Sequence, residues 1–275
     1  MRKLGLVFIL SAFNFISACA PITIAGIAGQ TLVNTAVNTA VATHEENLSK
    51  AQQNHKIAVA NFNVGVEYIR EGNFDKALDR LEKAKQADAD YRPVYDALGV
   101  VYQRLKQPVK AEQSFKKALQ MDADDSNTLN NYGQFLCEMD RADEANQYFL
   151  KAVANPLYQT PEIPYTNAGI CAQMHSQEDR AAEYFNKALS LNPRIPEALL
   201  KMSGISFNKG NYNAAQDYLK RYLEISRQTP ATLWLGIRIE HELGNKDAVS
   251  SYALLLRNDF PKSKEVTLLN ESGLR

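Results

Sequence analysis

From Ala58 onward, small and aromatic residues return at a fixed distance along an otherwise polar background. Tyr132-Gly133, Ala145, Phe149 and Ala152 lie 34 residues after Leu98-Gly99, Ala111, Phe115 and Ala118. Those in turn follow Val64-Gly65, Ala77, Leu81 and Ala84 by the same step. Going forward the frame slips by two residues, to Ala168-Gly169, Ala181, Phe185, Ala188 and Pro193. Met202-Ser203 with Ala215 and Leu219 come next, and a weaker sixth copy holds Leu235-Gly236, Ala248, Tyr252 and Leu255. Within a unit the apolar residues keep helical intervals, as in Tyr95, Leu98 and Tyr102, then Ala111, Phe115 and Ala118. A polar break such as Glu71-Gly72-Asn73 or Lys209-Gly210-Asn211 divides each unit in two. This spacing predicts two helices of about a dozen residues per unit.

A helix-turn-helix unit of this length, with small, aromatic and small residues at fixed offsets, resembles the tetratricopeptide repeat. The resemblance implies an all-α fold, a right-handed superhelical solenoid of six repeats at 58–91, 92–125, 126–161, 162–195, 196–228 and 229–261. The Gly at the eighth position and the Ala at the twentieth are expected to lack bulk where the two helices cross, so that the axes approach to about 8–10 Å. Neither helix can bury its apolar stripe alone, and stacked neighbours complete the core. The third unit ends in Asn155-Pro156-Leu157-Tyr158-Gln159-Thr160-Pro161, which is longer than a standard turn and carries two helix-stopping prolines. A fitted insertion is expected there. Residues 262–275 are expected to form a capping helix with a polar outer face.

Before the repeats the pattern changes. Met1-Arg2-Lys3 is basic, Leu4 to Ile16 is an apolar run, and Ser17-Ala18 are small residues just before Cys19. Residues 1–18 therefore read as a secretory signal, the apolar run being too short to span a bilayer. Ile16-Ser17-Ala18-Cys19 resembles a bacterial lipobox, which implies covalent lipid on Cys19, and Ala20 after it implies the outer membrane. The alternative is an ordinary cleaved signal with a chance cysteine. Residues 19–57 would be a lipidated tether and lead-in helix. Within them, the stretch 21–43 is apolar but rich in small residues, with Gln30, Asn34 and Asn38 spaced by four. It reads either as a flexible tether or as an amphipathic helix on a bilayer or a partner.

Charge and composition narrow the function. The 275 residues carry 31 basic and 31 acidic side chains, without the basic excess that phosphate-backbone binding needs, so nucleic acid is not an expected partner. The histidines at 44, 55, 175 and 241 are scattered, and no HExxH, CxxC or GxxxxGK motif occurs. With the repeats occupying nearly everything after residue 58, no catalytic domain, cofactor or metal is expected.

Binding is the remaining class. First helices of such repeats line a groove through positions 2, 5, 9 and 12. In the first unit these are Val59, Phe62, Val66 and Ile69, all apolar, while Val64, Gly65 and Tyr68 are expected to supply the core stripe. The second unit presents Pro93, Asp96, Val100 and Gln103, with Arg104 beside them, and the third Asn127, Asn130, Gln134 and Cys137. The groove would grade from apolar to polar and take a helix or strand of a partner. Chaperone-tail clamps of this repeat class use lysine and asparagine where Phe62 and Val66 stand, which argues against that ligand. Cys137 and Cys171 fall on neighbouring first helices, either as a bridge, if their Cα atoms come within about 7 Å, or as two buried thiols.

Asn130-Asn131-Tyr132-Gly133 with Phe135-Leu136-Cys137, Asn155-Pro156-Leu157-Tyr158 with Pro161, and Asn167-Ala168-Gly169-Ile170-Cys171 resemble the type IV pilus biogenesis lipoproteins of the PilF/PilW family. The likeness covers residues 58–261, and the apolar stretch 21–43 departs from it. It implies a pilotin, taken to the outer membrane by the lipoprotein carrier system, that binds the pilus secretin and promotes its multimerisation. It also implies that Cys137 and Cys171 match a disulfide found in part of the family. A repeat lipoprotein acting as adaptor for cell-wall hydrolases or for outer-membrane protein assembly is the alternative.

Overall fold

The computed structural model describes residues 24–274, with side chains from residue 35 onward. The described residues form thirteen α-helices: α1 (Ile24–Arg70), α2 (Phe74–Ala87), α3 (Pro93–Arg104), α4 (Pro108–Met121), α5 (Ser126–Glu138), α6 (Ala142–Val153), α7 (Glu162–Met174), α8 (Glu178–Leu191), α9 (Pro196–Asn208), α10 (Tyr212–Leu223), α11 (Pro230–Glu242), α12 (Lys246–Asp259) and α13 (Lys264–Ser272). The signal segment and Cys19 lie outside them. The described residues divide between Ile57 and Ala58 into two units.

In the first unit the stretch at 21–43 is helical from Ile24 onward rather than a flexible tether. Its described side chains are exposed, and Val37, Val41 and Leu48, four and seven residues apart, share one helical face. Among the described residues no helix is long and apolar enough to cross a membrane.

In the second unit the helices pack as successive antiparallel pairs, and first helices also touch one another: α3 with α5, α5 with α7, α9 with α11. Helix starts follow local chemistry. Pro stands in the first turn of α3, α4, α9 and α11, where its missing N–H costs nothing. Asp125 accepts from Thr128 N at 2.7 Å, and Thr229 with Thr232 forms a reciprocal cap at the start of α11. The turn inside every pair places one residue in the left-handed region: Gly72, Lys106, Asp140, Ser176, Gly210 and Gly244. Three of these six equivalent positions are not glycine.

Among the described residues the core is a chain of four clusters, two of which span three successive units. Phe115, Tyr132, Phe135 and Phe149 fill the second and third units, and Phe185, Leu199, Ile205 and Leu219 the fourth and fifth. Full burial of each of these side chains contributes about 1.5–3 kcal/mol. The repeat glycine serves a different neighbour from the expected one. A Cβ on Gly99, Gly133 or Gly169 would meet the ring of Phe115, Phe149 or Phe185 at 2.6, 2.7 and 2.7 Å, so the absent side chain makes room for the aromatic and not for the alanine. In the fifth unit Leu219 replaces the aromatic. The glycine position is then Ser203, whose hydroxyl donates to the Ala215 carbonyl at 2.8 Å. Val64, expected in the core, is 42% exposed; Gly65 is buried and Tyr68 packs against the cluster of Leu81 and Leu98.

The segment after α6 folds back on the start of α5. Asn155 Nδ2 donates to Ser126 Oγ at 3.3 Å and Tyr158 Oη to Asn127 Oδ1 at 3.3 Å. At the other end α13 packs against α11 and α12 through Leu269.

Candidate partner-binding groove

The predicted first-unit groove residues separate into two pairs. Phe62 and Ile69 pack against the cluster of Ala77, Leu81 and Val94, and the Phe62 ring meets Tyr91 edge-on at 5.4 Å between centroids. They help close the core on one side, and, half-buried like Val59 and Val66, both keep part of their surface exposed. Val59 and Val66 are half-buried and fall outside that cluster, so apolar surface remains there for a partner.

The polar residues of the next units are tied to one another. Asn131 Nδ2 donates to both carboxylate oxygens of Asp96, at 3.2 and 3.0 Å. Asn130 Nδ2 donates to Asn131 Oδ1 at 3.4 Å, and Asn167 Nδ2 donates to Asn130 Oδ1 at 2.8 Å. One polar ladder thus crosses α3, α5 and α7. It accounts for the Asn-Asn and Asn-Ala motifs structurally, since buried amides must be hydrogen-bonded. Asn130, at 5% exposure, is less available to a partner than its groove position suggested. Burial pushes the Asp96 carboxyl up to about 6, the Asn131 amide pulling the other way and the Asp125 charge adding to the rise. Arg92 reaches Asp125 Oδ2 at 3.0 Å beside it. Val100 packs on the Phe115 cluster, Gln103 and Gln134 are half-buried, and Arg104 is exposed.

Behind this face, Glu112 accepts from Tyr132 Oη at 3.0 Å and from Arg141 Nη1 at 3.0 Å, and Lys116 pairs with it at 2.8 Å. The Lys116 contact, then Arg141 and Tyr132, hold the Glu112 carboxyl down at about 2. Cys137 and Cys171 are joined by a disulfide, with Cα atoms 5.8 Å apart.

A second hollow escaped the sequence reading. Phe207, Tyr212, Trp234, Arg238 and His241 line a cavity of about 660 Å³ closed on one side by Ser272 and Leu274. The Arg238 guanidinium lies 4.2 Å from the Phe207 ring centroid. The spacing of Trp234, Arg238 and His241 by four and three was the available signal. The wall supplied from the end of the chain was not readable from spacing.

Successive helix pairs, each closed by a left-handed turn residue and packed internally through a glycine–aromatic contact in the second, third and fourth units, define a tetratricopeptide-repeat protein, and segments 93–125 and 196–229 match the family model of the tetratricopeptide repeat. The chain is 33% identical over 202 residues to the type IV pilus assembly protein PilF of Pseudomonas aeruginosa, covering 74% of this chain and 80% of that protein. A solved Pseudomonas aeruginosa PilF structure superposes with a TM-score of 0.72 at 30% identity, over 80% of this chain and 99% of that one. PilW, described as a widely conserved type IV pilus biogenesis factor, superposes with a TM-score of 0.69 at 31% identity, over 78% of this chain and 98% of its own. The chain belongs to the family of the type IV pilus assembly protein PilF.

Proposed function

We propose that this chain is a type IV pilus biogenesis factor of the pilotin kind. Lipid on Cys19 holds it at the periplasmic face of the outer membrane after delivery by the lipoprotein carrier system. The repeats hold a segment of the pilus secretin and promote its multimerisation in that membrane. The observation that carries the reading is the similarity to PilF over the repeats, at 33% identity. Half-buried Val59 and Val66, outside the packed cluster, supply apolar contact for the secretin segment. Phe62 positions that helix through Tyr91, and Arg104 lies on the exposed rim.

The test is co-purification of secretin with a Val59→Asp/Val66→Asp variant. Removing two half-exposed valine contacts weakens the complex by about 2–3 kcal/mol, roughly 30- to 150-fold. Undiminished secretin recovery from a folded variant would remove the groove from the reading. Fractionation of a Cys19→Ser variant tests the anchor, with loss of the protein from the outer membrane expected.

A further inference from the structure

Where the third unit meets the fourth, Cys137 on α5, Cys171 on α7 and His175 just after α7 bring two sulfurs and an imidazole nitrogen within 4.8 Å of one another. The sulfurs are bonded, and His175 Nε2 lies 4.0 Å from Cys137 Sγ. The other ring nitrogen, Nδ1, faces Asp140 Oδ1 at 3.3 Å. Asp140 sits at the left-handed turn position after α5 and Ser176 at the one after α7, so two equivalent turns bring the carboxylate and the imidazole face to face. The cysteines are 6% and 4% exposed, and the His175 side chain keeps an open edge. A crosslink alone has no use for an imidazole aimed at its sulfur with a carboxylate behind it. That arrangement, two sulfurs plus a histidine oriented by an acidic residue, is the donor set of a zinc site.

We propose that in its dithiol state this cluster binds a thiophilic divalent cation, zinc, through Cys137 Sγ, Cys171 Sγ and His175 Nε2. A dithiol reductant of the cell or the assay opens the site. Its two thiols close to a disulfide, giving two electrons and two hydrogens to the Cys137–Cys171 bond, which breaks to two thiols. Zinc then takes both sulfurs as thiolates and their protons go to solvent. His175 binds as the neutral imidazole, with Nδ1–H donated to Asp140. Tetrahedral zinc–thiolate bonds of about 2.3 Å set the sulfurs about 3.8 Å apart. With the Cα atoms 5.8 Å apart, side-chain rotation alone supplies that separation. Soft sulfur with imidazole selects zinc over magnesium or calcium. Oxidised or metal-loaded, the cluster ties α5 to α7. The inference stands apart from the pilus reading.

The experiment titrates zinc into the full-length chain, reduced with dithiothreitol and desalted without oxygen, against a chromophoric chelator. One zinc per reduced chain and none per oxidised chain is expected. Cys137→Ser and His175→Ala weaken binding about 100-fold, and Asp140→Asn about 10-fold. Circular dichroism reports folding in parallel. If the reduced chain loses helicity, recovery on adding zinc supports the site, and failure to recover overturns it. Reduced wild type binding zinc no more tightly than a Cys137→Ser/Cys171→Ser variant, or unaffected by His175→Ala, also overturns it.

Discussion

Gly133→Ala tests what the repeat glycine is for. The new Cβ would lie 2.7 Å from Phe149 Cε1, 2.9 Å from Cδ1 and 3.1 Å from Cζ, well inside van der Waals contact. Phe149 is fully buried and cannot swing clear. Overpacking of this kind costs about 1–3 kcal/mol. Replacing a helical glycine by alanine returns about 0.8–1 kcal/mol of propensity. The net loss is therefore about 0–2 kcal/mol, where alanine for glycine in a helix is ordinarily a gain. In a Phe149→Ala background, itself about 3–5 kcal/mol less stable, the obstacle is gone and Gly133→Ala becomes neutral or stabilising. Urea melts of the four proteins give a coupling of about 2 kcal/mol in that direction. If Gly133→Ala is equally destabilising with and without the ring, the glycine accommodates something else and the packing argument fails.

Asp96→Asn changes stability with pH in a defined sense. Folding raises this carboxyl from 3.8 to about 6, so the folded state is penalised as pH rises through that interval and not below it. The variant is expected to match wild type near pH 3 and to exceed it by about 1–3 kcal/mol at pH 7.5, its amide oxygen still accepting from Asn131; equal melts at both pH values would refute this. Glu112 runs the other way: its depressed carboxyl stabilises above its ordinary range and loses that contribution on acidification towards pH 2, so Glu112→Gln should flatten the acid limb of the melting profile. Lys106→Gly relieves a left-handed φ of 58° and should raise stability by up to about 1 kcal/mol in urea melts, whereas Lys106→Val should lower it. Cys137→Ser/Cys171→Ser reopens a loop with a sequence separation of 34 and should cost about 4 kcal/mol by denaturant midpoint.

Periodicity made the helical pairs legible, because each helix needs its stripe every three to four residues whatever its partner. The same logic misled at Val64. Val64 and Phe62 are both apolar at helical spacing, and spacing alone does not say which of two adjacent stripes finds a neighbour. The structure turns Phe62 towards Tyr91 and leaves Val64 in solvent. Asn130 and Asn131 were readable as a motif but not as a ladder, since their partners Asp96 and Asn167 are set by the stacking of separate units. The cavity beside Trp234 depends on α13 returning to the array, a long-range contact no local pattern encodes.

The two-residue slip in the repeat and the Cys137–Cys171 bond fall at the same joint. A stacked array holds together only through neighbouring interfaces, so its weakest seam is where it comes apart first. Here the irregular step, with its doubled-back loop, is riveted covalently. Tension along the array is carried across that seam by a covalent bond, and unravelling is diverted to the ends.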